Sequence, residues 1–385
     1  MDYIQLLKDL ISIDTSVPPG LNYGKAIDYL EPLFKKVGFE TRKITIPKQY
    51  TEGKEGRINL IAHRRTPGKP HLIFYSHIDV VPAEGWDAFN PRVENGKVYG
   101  RGAADMKGSI VALLCGLEKL QEKPLKYDVS IMVTTDEEVN QAKQIQYLGQ
   151  FLEPLAGSHF FSLDSPFGYV CIANLGVLQM NIKVKGKSVH SGLAHLGENA
   201  VEKANLLINA LSSLKQEIIQ RKSEVATDPD AGLTRMEPRL NINMVQGGLK
   251  VNIIPDECSF SIDRRLIPEE NLGEAEEEIN RTLSSVKGVN YEIEKFFQIP
   301  TVPPCQDPIV DELAEIIKKA TGKTGKFGWM GSGDLPHIVT SEWGATEFGL
   351  GVNRPESNIH GRDEFVYQRD IEDLAEIISR FLSSD

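Results

Sequence analysis

Long apolar runs are missing from this chain of 385 residues, and no stretch approaches the ~18 that a membrane-spanning helix needs. Basic clusters are missing too. Acidic residues outnumber lysine and arginine 54 to 43, and the resulting charge of −11 argues against a nucleic-acid surface. Cysteine is scarce: Cys115, Cys171, Cys258 and Cys305 lie far apart with no CxxC pair. That spacing indicates neither a disulfide framework nor a thiolate zinc site. The opening MDYIQLLKDLISIDT lacks the basic and apolar regions of a secretion signal, so the expected setting is cytoplasmic and reduced. Internal repeats and low-complexity tracts are likewise absent. What remains is an ordinary globular composition, 41% hydrophobic and 25% charged, at a length for which two domains are the default.

The stretch LIFYSHIDVVPAEGWDAFNPRVENGKVYGRGAADMKGSIVALL organises the chain. Its opening apolar run predicts a strand over residues 72–76 buried on both faces, as in a parallel sheet. An apolar-periodic helix is predicted to begin near Asp105. His77 and Asp79 are two apart and so project to one side of the pleat, which suits a metal-ligating histidine oriented by a carboxylate. Asp105 at a helix start is favoured by the free N–H groups there. The same residues also fit a helix cap and a hydrogen-bonded histidine at a strand end.

Elsewhere, helices are predicted over 3–11, through Ala26, Leu30, Leu33 and Val37, and over 141–152, 311–319 and 370–382. Strands are predicted at 42–46, 58–62, 129–134, 159–163 and 345–350. This alternation implies an α/β sheet with helices on both faces. From Gly176 the texture changes. Residues 177–184 alternate apolar and polar, and a helix follows with Val201, Ala204, Ile208 and Leu211 on one stripe. Strands at 240–245 and 258–264, a charged helix after Pro268 and an alternating strand at 291–297 complete a β-α-β-β-α-β order. That order is ferredoxin-like, with one sheet face solvated. The expected layout is an α/β/α sandwich formed by residues 1–175 and 291–385, interrupted by an inserted domain at 176–290.

Further candidate residues sit at strand ends and in loops. The strand at 129–134 runs into Asp136-Glu137-Glu138, three carboxylates that are costly unless solvated, paired or bound to metal. Adjacent residues point different ways, so one Glu can bind metal while its neighbour serves as a general base. Asp164 ends the next strand, and His360 lies in the polar loop ESNIHGRDE. Each alone fits a solvated loop. Together, two histidines and three carboxylates suit a two-metal hydrolytic centre.

The ordered strings SHIDVVP, Trp86, GKVYGRGAADMKGS, TTDEE and NIHGRDEFV resemble the signatures of the di-zinc aminoacylase/carboxypeptidase family of metallopeptidases. KSVHSGLAHLGENAV, Asn252-Ile253-Ile254-Pro255 and Asp263-Arg264-Arg265 extend the likeness through the inserted domain. The family includes acetylornithine deacetylase, succinyl-diaminopimelate desuccinylase, aminoacylase and glutamate carboxypeptidase. The resemblance implies two Zn²⁺ per subunit, with Co²⁺ or Mn²⁺ as substitutes. Asp105 bridges them, His77 and Asp164 complete one set, and Glu138 and His360 complete the other. It makes Glu137 the general base and Asp79 the residue orienting His77. His190 would stabilise the oxyanion in a partner's site, in a homodimer formed through the inserted domain. Arg265, Asn241 and Gly333 would meet the substrate, and the Asp105–Met106 peptide would be cis. Read locally, His190 also fits a turn histidine, Arg265 an ion pair with Asp263, and Gly331–Asp334 an ordinary turn. Trp86 and Tyr99 read as packing residues.

Three departures from the usual family pattern stand out. VNQAKQI follows Glu138 where relatives usually carry glycines, and residues 331–335 also differ from the usual loop. Deacetylase and desuccinylase members more often have Glu at the position of Asp164, while dipeptidase- and tripeptidase-like members have Asp. The implied activity is hydrolysis of a small N-acyl amino acid, the alternative is a zinc exopeptidase on short peptides, and a catalytically dead dimeric binding protein is the third reading. No nucleic acid or membrane is expected as a partner.

Overall fold

Successive residues of a strand face opposite ways, and in His71–His77 both directions are buried. Leu72 and Phe74 join a core with Leu30, Ile110, Leu117, Leu313 and Ile377. Ile73 and Tyr75 join another with Ile145, Leu148, Leu335 and Val339. This double coverage explains the unbroken apolar run. The computed structural model describes residues 1–139, 141–333 and 335–384, without the side chain of Asp230. Asn140 in VNQAKQI and Asp334 in the loop at 331–335 lie outside the described residues, as does Asp385.

The chain divides into two units. The first comprises Met1–Ile172, Cys305–Phe327 and the stretch from 335 onward. It carries an eight-stranded sheet in the order Glu40–Thr45, Ile58–Arg64, Asp128–Thr134, His71–His77, His159–Ser162, Thr346–Gly349, Val170–Ala173 and Lys326–Gly328. The four strands from Asp128–Thr134 to Thr346–Gly349 are mutually parallel, and the pairings flanking them are antiparallel. Helices on both faces make the expected α/β/α sandwich. Short pieces escaped the pattern: Val170–Ala173, Lys326–Gly328, and a small sheet of Phe365–Tyr367, Lys97–Tyr99 and Arg92–Glu94. Three or four residues are too few to display a period.

The second unit comprises Ala173–Pro304 and Gly328–Gly333. Its antiparallel sheet runs Arg239–Gly247, Glu257–Leu266, Gly176–Lys185, Asn290–Ile299, and the helices Ala200–Ile218 and Leu272–Ser285 pack on one face. This is the ferredoxin-like arrangement. Two expectations need correcting. The boundary placed at 291 falls after Pro304, because Asn290–Ile299 is an edge strand of this sheet, paired with Gly176–Lys185. The buried stripe of the first helix is Ala200, Ala204, Leu207, Leu211, Leu214 and Ile218, while Val201 is 38% exposed. That helix has apolar residues on two faces, and the sheet selects one. No helix among the described residues is long and apolar enough to cross a membrane.

Helices Gly108–Glu118 and Gln368–Leu382 pack closely on the first unit's sheet. A Cβ at Gly116 would stand 2.8 Å from the carbonyl oxygen of Ala375 and 3.1 Å from Cγ2 of Ile378. In an open helix Gly→Ala gains up to ~1 kcal/mol. Overpacking here costs about 1–3 kcal/mol, so Gly116→Ala should lower the urea midpoint. An unchanged or higher midpoint would show that the two helices are not in this contact.

Candidate metal centre

His77 is the last residue of its strand and wholly buried. Its Nδ1 lies 3.1 Å from the carbonyl oxygen of Asp79 and 3.5 Å from the Asp79 carboxylate. The other Asp79 oxygen accepts the amide N–H of Glu138 at 3.0 Å, so Asp79 ties the two strand ends together. Nε2 of His77 faces Oδ1 of Asp105 at 3.3 Å, outside hydrogen-bond geometry, and both atoms are buried. On its far side, Oδ2 of Asp105 lies 3.1 Å from Nε2 of His360, which is 3.0 Å from Oε2 of Glu138. Asp105 thus stands between the two histidines. It does not cap the following helix, which starts only at Gly108. Asp105 and Met106 have non-helical φ/ψ of −117°/91° and −135°/26°, and the peptide joining them is cis.

The ligand-capable atoms fall into two groups, His77 with Glu137 and Asp164, and Asp105 with Glu138 and His360. Within each group these atoms lie within 4.8 Å of one another. Two ligands of a tetrahedral zinc stand ~3.4 Å apart, given bonds of ~2.0–2.2 Å. The separations of 3.0, 3.1 and 3.3 Å match that spacing. With buried, unpartnered His77 Nε2 and Asp105 Oδ1 between them, the donor set fits a pair of divalent cations.

Charge supports the same fit. Five carboxylates (Asp79, Asp105, Glu137, Glu138 and Asp164) surround two imidazoles. Burial raises the pKa of Glu138 to about 7 and that of Asp164 to about 6, with Asp105 adding to both. Burial also holds Glu137 well above the ordinary carboxylate range. Hydrogen bonds to Asp105 and Glu138 raise His360 to about 10. Burial opposes charge on His77, yet Asp105 and Asp79 outweigh it and raise its pKa well above normal. Without metal, protons do the neutralising.

Neighbours that the sequence did not single out hold these groups in place. Asn353 donates to Oδ1 of Asp164 at 2.9 Å. Asp136, in the left-handed region at φ +66°, is buried and accepts from Tyr23 Oη, Arg57 Nε and Gln144 Nε2 at 2.8–2.9 Å. That clamp fixes the turn presenting Glu137 and Glu138. Glu364 accepts from Arg101 and from three backbone amides around Asp105. The only signal for these in the sequence is charge inside otherwise apolar or signature stretches.

The remaining candidates lie in the second unit. His190 is exposed, and its Nδ1 accepts the N–H of Gly192 at 3.1 Å. Arg265 makes two hydrogen bonds to Asp263 and one to Ser332 Oγ at 3.0 Å. Asn241 accepts from Lys215 at 3.1 Å, and Gly333 is partly exposed. For His190 and Arg265 these are the local hydrogen bond and the Asp263 ion pair of the plainer reading.

The model of peptidase family M20/M25/M40 matches residues 73–384. The chain belongs to this family. A protein described as probable succinyl-diaminopimelate desuccinylase from Staphylococcus aureus (strain MSSA476) is 29% identical over 295 residues, 69% of this chain and 68% of its own. Succinyl-diaminopimelate desuccinylase from Beijerinckia indica is 28% identical over 406 residues, 98% of this chain and 97% of its own. Among solved structures, an M20 family metallo-carboxypeptidase from Sulfolobus solfataricus superposes with a TM-score of 0.80 at 18% identity. It covers 99% of this chain and 98% of its own. A dinuclear metal binding M20 peptidase from Bacillus subtilis gives 0.67 at 16%, covering 98% and 96%. The M20 chain is therefore a hydrolytic enzyme of the metallopeptidase and amidohydrolase kind, and its fold is that of its relatives.

Metal binding must displace the protons held by Glu138, Asp164 and His360. Affinity for Zn²⁺ should therefore rise between pH 6 and pH 8. Calorimetry in buffers of different ionisation enthalpy should show protons released, more at pH 6 than at pH 8. Below pH 7 Glu138 and Asp164 contribute, whereas His360 contributes at both. An affinity independent of pH with no proton release would contradict the cluster described here.

Proposed function

We propose that this M20 enzyme hydrolyses the amide bond of a small N-acyl amino acid, as deacetylases and desuccinylases do, with two zinc ions per subunit. The observation that carries this is the likeness to the Beijerinckia desuccinylase along 98% of the chain. The cluster of His77, Asp105, Glu137, Glu138, Asp164 and His360 supports it by offering a complete donor set. Asp105 would bridge, His77 and Asp164 would complete one site, and Glu138 and His360 the other. Co²⁺ and Mn²⁺ suit the same nitrogen and oxygen donors. When bound, the ions would supply an acidified water and a polarised carbonyl.

Glu137 does the proton work. Its carboxylate is buried, and its pKa lies well above the ordinary range. A group so placed takes a proton from water during attack and returns it to the leaving amine. Asp79 keeps the His77 ring oriented through Nδ1. His190 is assigned to the developing oxyanion in a partner's site, and Arg265, Asn241 and Gly333 to the substrate's carboxylate and backbone. The homodimer this requires is supported by the edge strand Arg239–Gly247 and the turn after it. Met244, Val245, Leu249 and Val251 are all more than half exposed there. A reduced cytoplasmic setting belongs to the same reading.

A zinc exopeptidase on di- or tripeptides is the second reading, favoured by the shorter carboxylate at Asp164. Both readings share one centre, and the intact cluster speaks against a dead binding protein. Assay of the zinc-loaded protein on acetylornithine, acetyl-lysine, succinyl-diaminopimelate and a dipeptide panel separates them. Acyl amino acids should be cleaved fastest, and activity should vanish on exhaustive chelation and return with zinc. Glu137→Gln should keep zinc while losing ~10²–10⁴ of the rate. Near-normal turnover in that variant would remove Glu137 from the role.

A further inference from the structure

Glu364 is fully buried, yet no step assigned above uses it. Its two oxygens accept four hydrogen bonds: from Arg101 Nη1 at 2.6 Å, and from the amides of Gly102 at 3.1 Å, Ala104 at 3.0 Å and Asp105 at 3.1 Å. Burial and the nearby Asp105 raise its pKa, yet a proton on either oxygen would meet a donor, so the hydrogen bonds favour the carboxylate. Arg101, buried as well, turns its Nη2 to the carbonyl oxygen of His360 at 3.0 Å. One ion pair therefore grips the backbone of Asp105 with one end and the backbone of His360 with the other. His360 needs such a grip. It sits in a loop at φ +63°, a conformation costly for a non-glycine residue, and its side chain is half exposed.

The other group is held differently. His77 ends a central strand, Asp164 is tethered by Asn353, and Glu137 follows the Asp136 clamp. None of these three hydrogen-bonds to Glu364 or Arg101.

We propose that Glu364 and Arg101 are positioning residues that act mainly on one of the two metal sites, the one that takes both gripped ligands, Asp105 and His360, whereas its neighbour would share only the bridging Asp105. The inference rests on the two-metal reading above.

The test is stepwise Co²⁺ and Zn²⁺ binding to the full chain, by visible absorption of cobalt and by chelator competition. Glu364→Gln keeps the volume but turns an amide N–H₂ toward donors. Arg101→Lys keeps the charge but cannot reach both partners. Wild type should take two ions. Each variant, shown to be folded by circular dichroism, should bind one ion about 10–100-fold more weakly and the other, which shares only Asp105 of the gripped ligands, with a clearly smaller loss. The cobalt bands of the weaker site should be lost or shifted. A merely structural pair would lower the melting temperature of the metal-free protein while leaving the two affinities in their original ratio. That result, or two unchanged affinities, overturns the proposal. Should Glu364→Gln fail to fold, Arg101→Lys decides alone. If wild type binds fewer than two ions, the two-metal reading falls, and this inference with it.

Discussion

Buried negative charge in excess of its partners is the constraint on which the rest of this structure depends. Carboxylates from five positions and imidazoles from two converge at the carboxyl ends of parallel strands, with His77, Asp79 and Asp105 buried, Glu137, Glu138 and Asp164 partly so, and His360 open to water. Left as anions, such groups repel one another strongly. The raised pKa values of Glu137, Glu138 and Asp164 express first the cost of burying the charge and then that repulsion. Divalent cations relieve it in a way that protons do not, because they leave the carboxylates deprotonated and one of them available as a base. The arrangement that is hardest to stabilise without metal is the arrangement best able to activate water with it.

Holding repelling groups together is work that falls to the backbone. Arg57 and Tyr23 clamp Asp136 on one side, and Glu364 with Arg101 grips the Asp105 and His360 segments on the other. Each device uses a buried charge satisfied by several donors rather than a surface ion pair, and only the former is rigid enough to matter. Neither touches the cavity between the ligands. The first holds the side chain of the residue before Glu137, the second the peptide groups of Asp105 and His360, so these side chains would have less freedom to lose on binding a cation. Lys107 adds to the same frame, its buried ammonium donating to the carbonyls of Leu10 and Ile13 at 3.1 and 2.9 Å.

The parts of this that could be read from the sequence are those with a period or a signature. The run LIFYS announced a strand buried on both faces, and Gly176–Lys185 announced one solvated face by alternating. The histidines and carboxylates at strand ends could be gathered because metal chemistry requires them together. Three things were not legible. The helix after Asp105 begins only at Gly108, because Asp105 and Met106 have non-helical φ/ψ, in a segment whose amides at Ala104 and Asp105 bond to Glu364, 259 or more residues distant. The buried stripe of Ala200–Ile218 depends on which of two apolar faces meets the sheet. The end of the inserted unit depends on the pairing of its last edge strand, whose alternation marks a strand but not the sheet it joins. All three are decided by long-range contacts rather than by local preference.

Asp164 shows how far such contacts shape the chemistry. An aspartate is one methylene shorter than a glutamate, so its strand end must come closer for the carboxylate to reach His77. The close packing behind it is consistent with that. Neither Gly349 nor Gly351 has room for a side chain, because Ser165 and the backbone around residues 162–165 press against them. Asn353 then fixes one carboxylate oxygen. Lengthening residue 164 alone would push its carboxylate into a space set for a shorter one. The place of this carboxylate is therefore tied to two glycines almost 190 positions away.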